Sequence, residues 1–287
     1  MKQKKLQCIH QSSETHWVGN GFPVRSVFSY DDFGKELDPF LLLDYAAPYR
    51  FPPGEGKRGV GAHPHRGFET VTVSYQGEIE HRDSSGGGGR IGPGDVQWMT
   101  AAGGLLHEEF HSPDFVRTGG MFEMAQLWVN LPAKDKNAAP RYQTLLAAQI
   151  PNVDLPGGAG KLRVIAGKYA GQRGPAQTFT PIDLWDIAIT GGQAVDLPLA
   201  EGHTAAVLVL RGAIATEGKE AGEGALVIYE RAGDGVVLSA VSDSKLLLMS
   251  GRPIEEPIVG SGPFVMNSEE EIQQAYDDVR RGRMGRL

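Results

Sequence analysis

Cysteine is nearly absent: Cys8 stands alone among 287 residues, so no intramolecular disulfide can form and a reducing compartment, the cytoplasm, is the expected setting. Long apolar runs are missing too. No stretch approaches the roughly 20 apolar residues of a membrane helix, and the opening MKQKKLQC is charged without the apolar core of a signal peptide. Positive charge is in deficit, with 28 Lys and Arg against 35 Asp and Glu and a net charge of −7. The basic residues gather into no stripe, which argues against direct binding of nucleic acid through its phosphates.

What is present describes a folded protein of many short strands. Hydrophobic residues make up 40% and charged residues 22%, enough for a sizeable core in each of two ordinary domains. The 39 glycines and 18 prolines are spread along the whole length, which suits strands joined by turns better than long helices.

Chemistry concentrates between His63 and Glu109. The stretch opens with HPHRGFET, residues 63–70, and closes with LHEE, residues 106–109. Side chains alternate along a strand, so His63, His65 and Glu69 would share one face, as would His107 and Glu109. Imidazole and carboxylate together suit Fe, Mn, Co, Ni, Cu or Zn, whereas Ca and Mg sites are built from oxygen alone. Three imidazoles and one carboxylate would leave a position open for small ligands. Between the two motifs the chain reads as hairpin strands, with turns at Gly77, Gly86 to Gly89 and Pro93-Gly94-Asp95. His81 and Asp83 follow one of these turns and are not expected to take a direct part in catalysis, and Gln97, Trp98 and Met99 read as core filling. Glu108 faces away from Glu109 by alternation.

Elsewhere, Trp17 to Gly19 and Val24 to Tyr30 read as strands of the first sheet, and residues 46–62 as a loop over the barrel mouth. Residues 1–132 form the expected N-terminal metal-binding barrel, 133–143 a linker, and 144–287 a second barrel without a metal site plus a terminal segment. The second half echoes the first: Val71 to Ile79 resembles Val207 to Ile214, and Gln126 to Pro132 parallels Lys245 to Pro253. Seven of the eight histidines lie at or before His111, so the second copy, with only His203, is read as structural or as a binding surface. Ser268 and Glu271 form a capping-box signature ahead of Ile272, Ala275, Tyr276 and Val279, one apolar helical face closed near Gly282.

The segments HPHRGFETVTV, PGDVQWMTAAGGLLHEE, AQLWVNLP and GPFVMNSEEEI strongly resemble the pirin family of bicupins, over residues from about 20 to the end. The resemblance implies an all-β fold of two cupin, jelly-roll type barrels with a short C-terminal helix and a single metal in the N-terminal barrel. It implies His63, His65, His107 and Glu109 as the ligands. The wider cupin pattern, His-x-His-x3-Glu, would nominate Glu69 instead; the closer match favours Glu109 and leaves Glu69 as an inward acceptor for a ligand histidine. His111 would point inward beside the metal or at its rim.

Two functions follow from the resemblance. One is a metal-dependent quercetin 2,3-dioxygenase, which opens the flavonol heterocycle with O2 and releases carbon monoxide, with Glu109 taking the proton of the 3-hydroxyl. The other is a metal-dependent regulator acting through a protein partner, as a transcriptional co-regulator or enzyme modulator. The enzyme is preferred because four ligands leave an open metal position. Iron is the first expectation for the one divalent transition metal, with Mn, Co, Ni or Cu accepted by the same ligands.

Overall fold

The computed structural model of the chain describes residues 2–12 and 14–287. Two compact units emerge, one of Glu14–Lys35, Phe40–Ala147 and Ile254–Leu287, the other of Met1–Ser13, Glu36–Pro39 and Ala148–Pro253. The first contains a seven-stranded antiparallel sheet in the order Arg141–Leu145, Val96–Thr100, Phe68–Gln76, Gly120–Asn130, Phe40–Phe51, Phe22–Ser29, His16–Val18. Its four-stranded sheet runs Gly59–His65, Leu105–His111, Ile79–Asp83, Gly88–Ile91.

The second unit repeats both orders strand for strand. Its seven-stranded sheet runs Leu6–Gln11, Ala225–Tyr229, Thr204–Arg211, Ser244–Gly251, Ile182–Ile189, Gly160–Ala166, Asn152–Asp154, and its four-stranded sheet Ala194–Pro198, Gly235–Ala240, Ala213–Thr216, Lys219–Gly222. Both units are the two-sheet cupin barrels expected from the sequence. No helix among the described residues is long and apolar enough to cross a membrane.

The chain does not divide between the units in simple sequence order. Leu6–Gln11 pairs with Ala225–Tyr229 and so completes a sheet of the second unit. The C-terminal residues 254–287 belong to the first unit, where the helix Glu269–Arg280 buries Ile272 and Ala275 against Phe264, Met266 and Met284. Residues 133–143 are likewise built in. Lys136 is buried with its ammonium bonded to Gly67 O, Asn130 Oδ1 and Val265 O at 2.7–2.9 Å, and Arg141–Leu145 is the edge strand beside Val96–Thr100.

One turn positions the site. Gly67 has φ +92°, a left-handed conformation that suits glycine, and a Cβ there would lie 1.9 Å from Val265 O. It carries the chain out of the Gly59–His65 strand and into Phe68–Gln76, which lies in the other sheet.

Candidate metal centre

His63 and His65 sit on Gly59–His65, and His107 and Glu109 on the neighbouring Leu105–His111, with His107 directly opposite His63. Along Leu105–His111 every second residue is buried, placing His107, Glu109 and His111 inward. Glu108 points out and is held by Arg82, as alternation requires. The rings of His63, His65 and His107 lie with centroids 4.2–4.9 Å apart, and one ligating atom from each falls within 4.8 Å of the others.

All three rings have Nδ1 engaged: His63 with Gly61 O at 2.8 Å, His65 with Pro263 O at 3.2 Å, and His107 with His81 Nδ1 at 3.4 Å. A carbonyl can only accept, so His63 and His65 carry their proton on Nδ1 and keep a lone pair on Nε2. The Nε2 of His107 is buried with no hydrogen-bond partner, which is costly unless something else binds it. Burial and the neighbouring His63 push His65 down to about 3; burial and the other imidazoles hold His107 well below the usual histidine range. Converging imidazoles, with His65 and His107 held neutral by burial and a buried nitrogen left free, fit a divalent transition metal.

Glu109 joins a second close group with His107 and His81. Its two oxygens each accept one amide donor, Oε1 from Gln97 and Oε2 from Gln126 at 2.9 Å. The same amides reach Thr72 Oγ1, and Tyr142 OH donates to Gln97 Oε1. This network fixes the carboxylate plane and satisfies the buried polar groups around it.

Two expected neighbours lie elsewhere. Glu69 accepts from Thr100 Oγ1 at 2.7 Å and lies 3.8 Å from Arg141, rather than accepting from a ligand histidine. Period-two counting from His63 fails because the Gly67 turn moves the chain between sheets. Burial pushes the Glu69 carboxyl up to about 7, against the pull of Thr100, Trp98 and Arg141. His111 donates Nε2–H to Gly21 O at 2.8 Å and is ringed by Phe22, Phe51, Phe115 and Phe122 at 4.6–5.5 Å. It packs an aromatic cluster instead of lining the metal site, and burial lowers its pKa to about 4.

Several residues of the site escaped the sequence reading. His81 is buried, lies opposite Glu109 in register, stacks on Tyr142 with centroids 4.7 Å apart, and places Nε2 3.2 Å from Asp83 Oδ2. Burial would raise the Asp83 pKa, but hydrogen bonds from His81, Ser85 and Gly87 outweigh it and hold the carboxyl at about 2. Tyr142 falls in the expected linker, and Gln126 in a segment singled out as the counterpart of Lys245 to Pro253. The signal that could have found His81 is its cross-strand register, which a linear pattern does not contain.

The second unit shows the same scaffold without the site. Aligning Gly77 with Gly212 and following the strand registers puts Val207, Val227 and Leu248 at the positions of Thr72, Gln97 and Gln126. Leu197 and Val236 stand where His63 and His107 do. Leu199 and Leu238 take the places of His65 and Glu109. All seven are aliphatic and buried in one hydrophobic core.

Comparison with known proteins matches residues 21–129 to the family described as Pirin and residues 184–285 to the Pirin C-terminal cupin domain. A Pseudomonas aeruginosa protein named "Putative quercetin 2,3-dioxygenase" is 57% identical over 98% of both chains. A pirin-like protein of Caulobacter vibrioides is 39% identical over 86% of this chain and 87% of its own. The crystal structure of a quercetin 2,3-dioxygenase from Acinetobacter baumannii superposes with a TM-score of 0.96 at 52% identity, covering 99% of each chain.

Proposed function

The chain belongs to the pirin family, and from that premise we propose that it is a metal-dependent dioxygenase that opens a flavonol such as quercetin with O2 and releases carbon monoxide. The observation that carries this reading is the buried, unpartnered Nε2 of His107, a residue grouped closely with His63 and His65 and also with His81 and Glu109. In this assignment His63, His65, His107 and Glu109 hold one divalent transition metal, with iron preferred. Such an ion supplies Lewis acidity toward the flavonol oxygens and a redox couple toward O2.

The chain's own residues handle the proton. Glu109 takes it from the 3-hydroxyl: each of its oxygens has one lone pair committed to an amide donor and another left over. Gln97 and Gln126 keep the carboxylate from swinging away, and Tyr142, by donating to Gln97 Oε1, fixes which end of that amide faces Glu109. Geometry of this kind is what general-base catalysis requires.

The test is aerobic quercetin consumption with carbon monoxide detection, using apo protein reloaded with Fe, Mn, Co, Ni or Cu. Saturable turnover with one metal, abolished in His65→Ala, is expected. Absence of turnover at one bound metal per chain overturns the reading. For the proton step, Glu109→Gln should lower kcat by roughly 100-fold or more; full turnover in a metal-loaded Gln variant removes Glu109 from that role.

A further inference from the structure

The three histidine Nδ1 atoms are held by unlike partners. Gly61 and Pro263 offer carbonyl oxygens, whose role is fixed. The partner of His107 is another imidazole nitrogen, His81 Nδ1, which accepts or donates according to where the His81 proton sits. That is decided at the far side of the His81 ring, where Nε2 meets Asp83 Oδ2.

We infer that Asp83 and His81 form a tautomer relay that prepares His107 for the metal. Asp83 accepts the Nε2 proton of His81; His81 Nδ1 then accepts the Nδ1 proton of His107; the lone pair of His107 is left on Nε2. Asp83 and His81 are positioning residues here, acting through a ligand without touching the metal. The inference rests on the reading that His107 is a ligand.

Three features favour the relay over a casual buried pair. Asp83 cannot rotate freely, because its Oδ1 already accepts from Ser85 N, Ser85 Oγ and Gly87 N at 2.6–3.0 Å, which leaves Oδ2 for His81. His81 is clamped flat against Tyr142, and the side chains of both His81 and Asp83 are fully buried. In the second unit, where the ligand positions are aliphatic, the same strand carries Thr216 in place of His81 and Gly218 follows where Asp83 would be. A buried carboxylate hydrogen-bonded to a buried imidazole is expensive to maintain, and this pair is kept in the barrel that has the histidine cluster.

Asp83→Asn tests the relay with almost no change of shape. Its Oδ1 keeps the three turn bonds, so the new amide presents N–H to His81 Nε2, which must then accept. The His81 proton moves to Nδ1 and is donated to His107 Nδ1, and the His107 proton moves to Nε2, the atom the metal needs. The measurements are Co(II) affinity by chelator competition, the His107 tautomer from long-range ¹H–¹⁵N spectra of the apo protein, and the apo melting temperature.

The expected result is a loss of about 10- to 100-fold in affinity, a His107 ring protonated on Nε2, and a melting temperature near that of the wild type. Affinity or tautomer unchanged in Asp83→Asn overturns the relay. If His107→Ala binds Co(II) as tightly as the wild type, the ligand assignment fails instead. Because His81 also lies close enough to His107 and Glu109 to bind an ion itself, pulsed EPR of Cu(II) should count coordinated imidazoles in His81→Gln. An unchanged count supports the relay, and the loss of one makes His81 a ligand and overturns it.

Discussion

Glu69 shows how a side chain placed by alternation alone can be put on the strand of His63 and His65 when it lies on the next one, in the other sheet, and so be given the wrong neighbour. It is 1% exposed, with its carboxyl pushed up to about 7 by burial despite Thr100, Trp98 and Arg141. A carboxyl with a raised pKa holds its proton more tightly folded than unfolded, so its contribution is fully present below the unfolded value of 4.5 and falls away as pH rises toward 7. Above that window the site bears a loss of order 3 kcal/mol. Glu69→Gln should therefore match the wild type near pH 4 and be the more stable protein at pH 8, measured as the difference between urea midpoints. Parallel pH dependences would show that Glu69 is ionised in its pocket throughout. The contrast with His81 marks what could be read at this scale. His63, His65, His107 and Glu109 announce themselves through spacing within a strand, whereas His81 is paired with Glu109 only across strands, and Gln97 and Gln126 matter only because Glu109 lies between them.

The C-terminal helix was readable in advance because its start is written locally. The Ser268 and Glu271 signature forms both bonds of the capping box, Glu271 N to Ser268 Oγ at 3.3 Å and Ser268 N to Glu271 Oε2 at 3.2 Å. What the sequence leaves open is where such an element docks. Sheet edges choose partners far away in sequence, so Leu6–Gln11 and Arg141–Leu145 reveal nothing locally about the strands they join. The helix packs on Phe264 and Met266 and pairs Asp278 with Arg66 at 2.8 Å, beside His65. Pro263, next to Phe264, supplies the carbonyl that fixes His65. Ile272→Ala removes a side chain 4% exposed and should cost about 2–4 kcal/mol. It should also speed amide exchange at Val265, whose N–H bonds Arg66 O at 3.1 Å. Unchanged exchange at Val265 would mean that the helix does not hold this strand against the His65 segment.

At the scale of the whole chain, one strand order appears with two interiors. Each buried aliphatic side chain contributes about 1.5–3 kcal/mol, and the second unit takes that gain at Leu197, Leu199, Val236 and Leu238. The first unit gives it up for imidazoles and a carboxylate that must each find a partner, and the unpartnered His107 Nε2 shows one partner still owed. Metal binding should then act as folding energy for that unit alone. At a free metal concentration 1,000 times Kd the stabilisation is about 4 kcal/mol, and no comparable term exists for a barrel whose matching positions are all aliphatic. Calorimetry with and without Fe(II) or Co(II) should show one equivalent bound per chain, a melting transition that moves upward on loading, and no such shift in His65→Ala. Two equivalents of high affinity, or a full shift retained in His65→Ala, would place the metal outside the cluster of His63, His65 and His107.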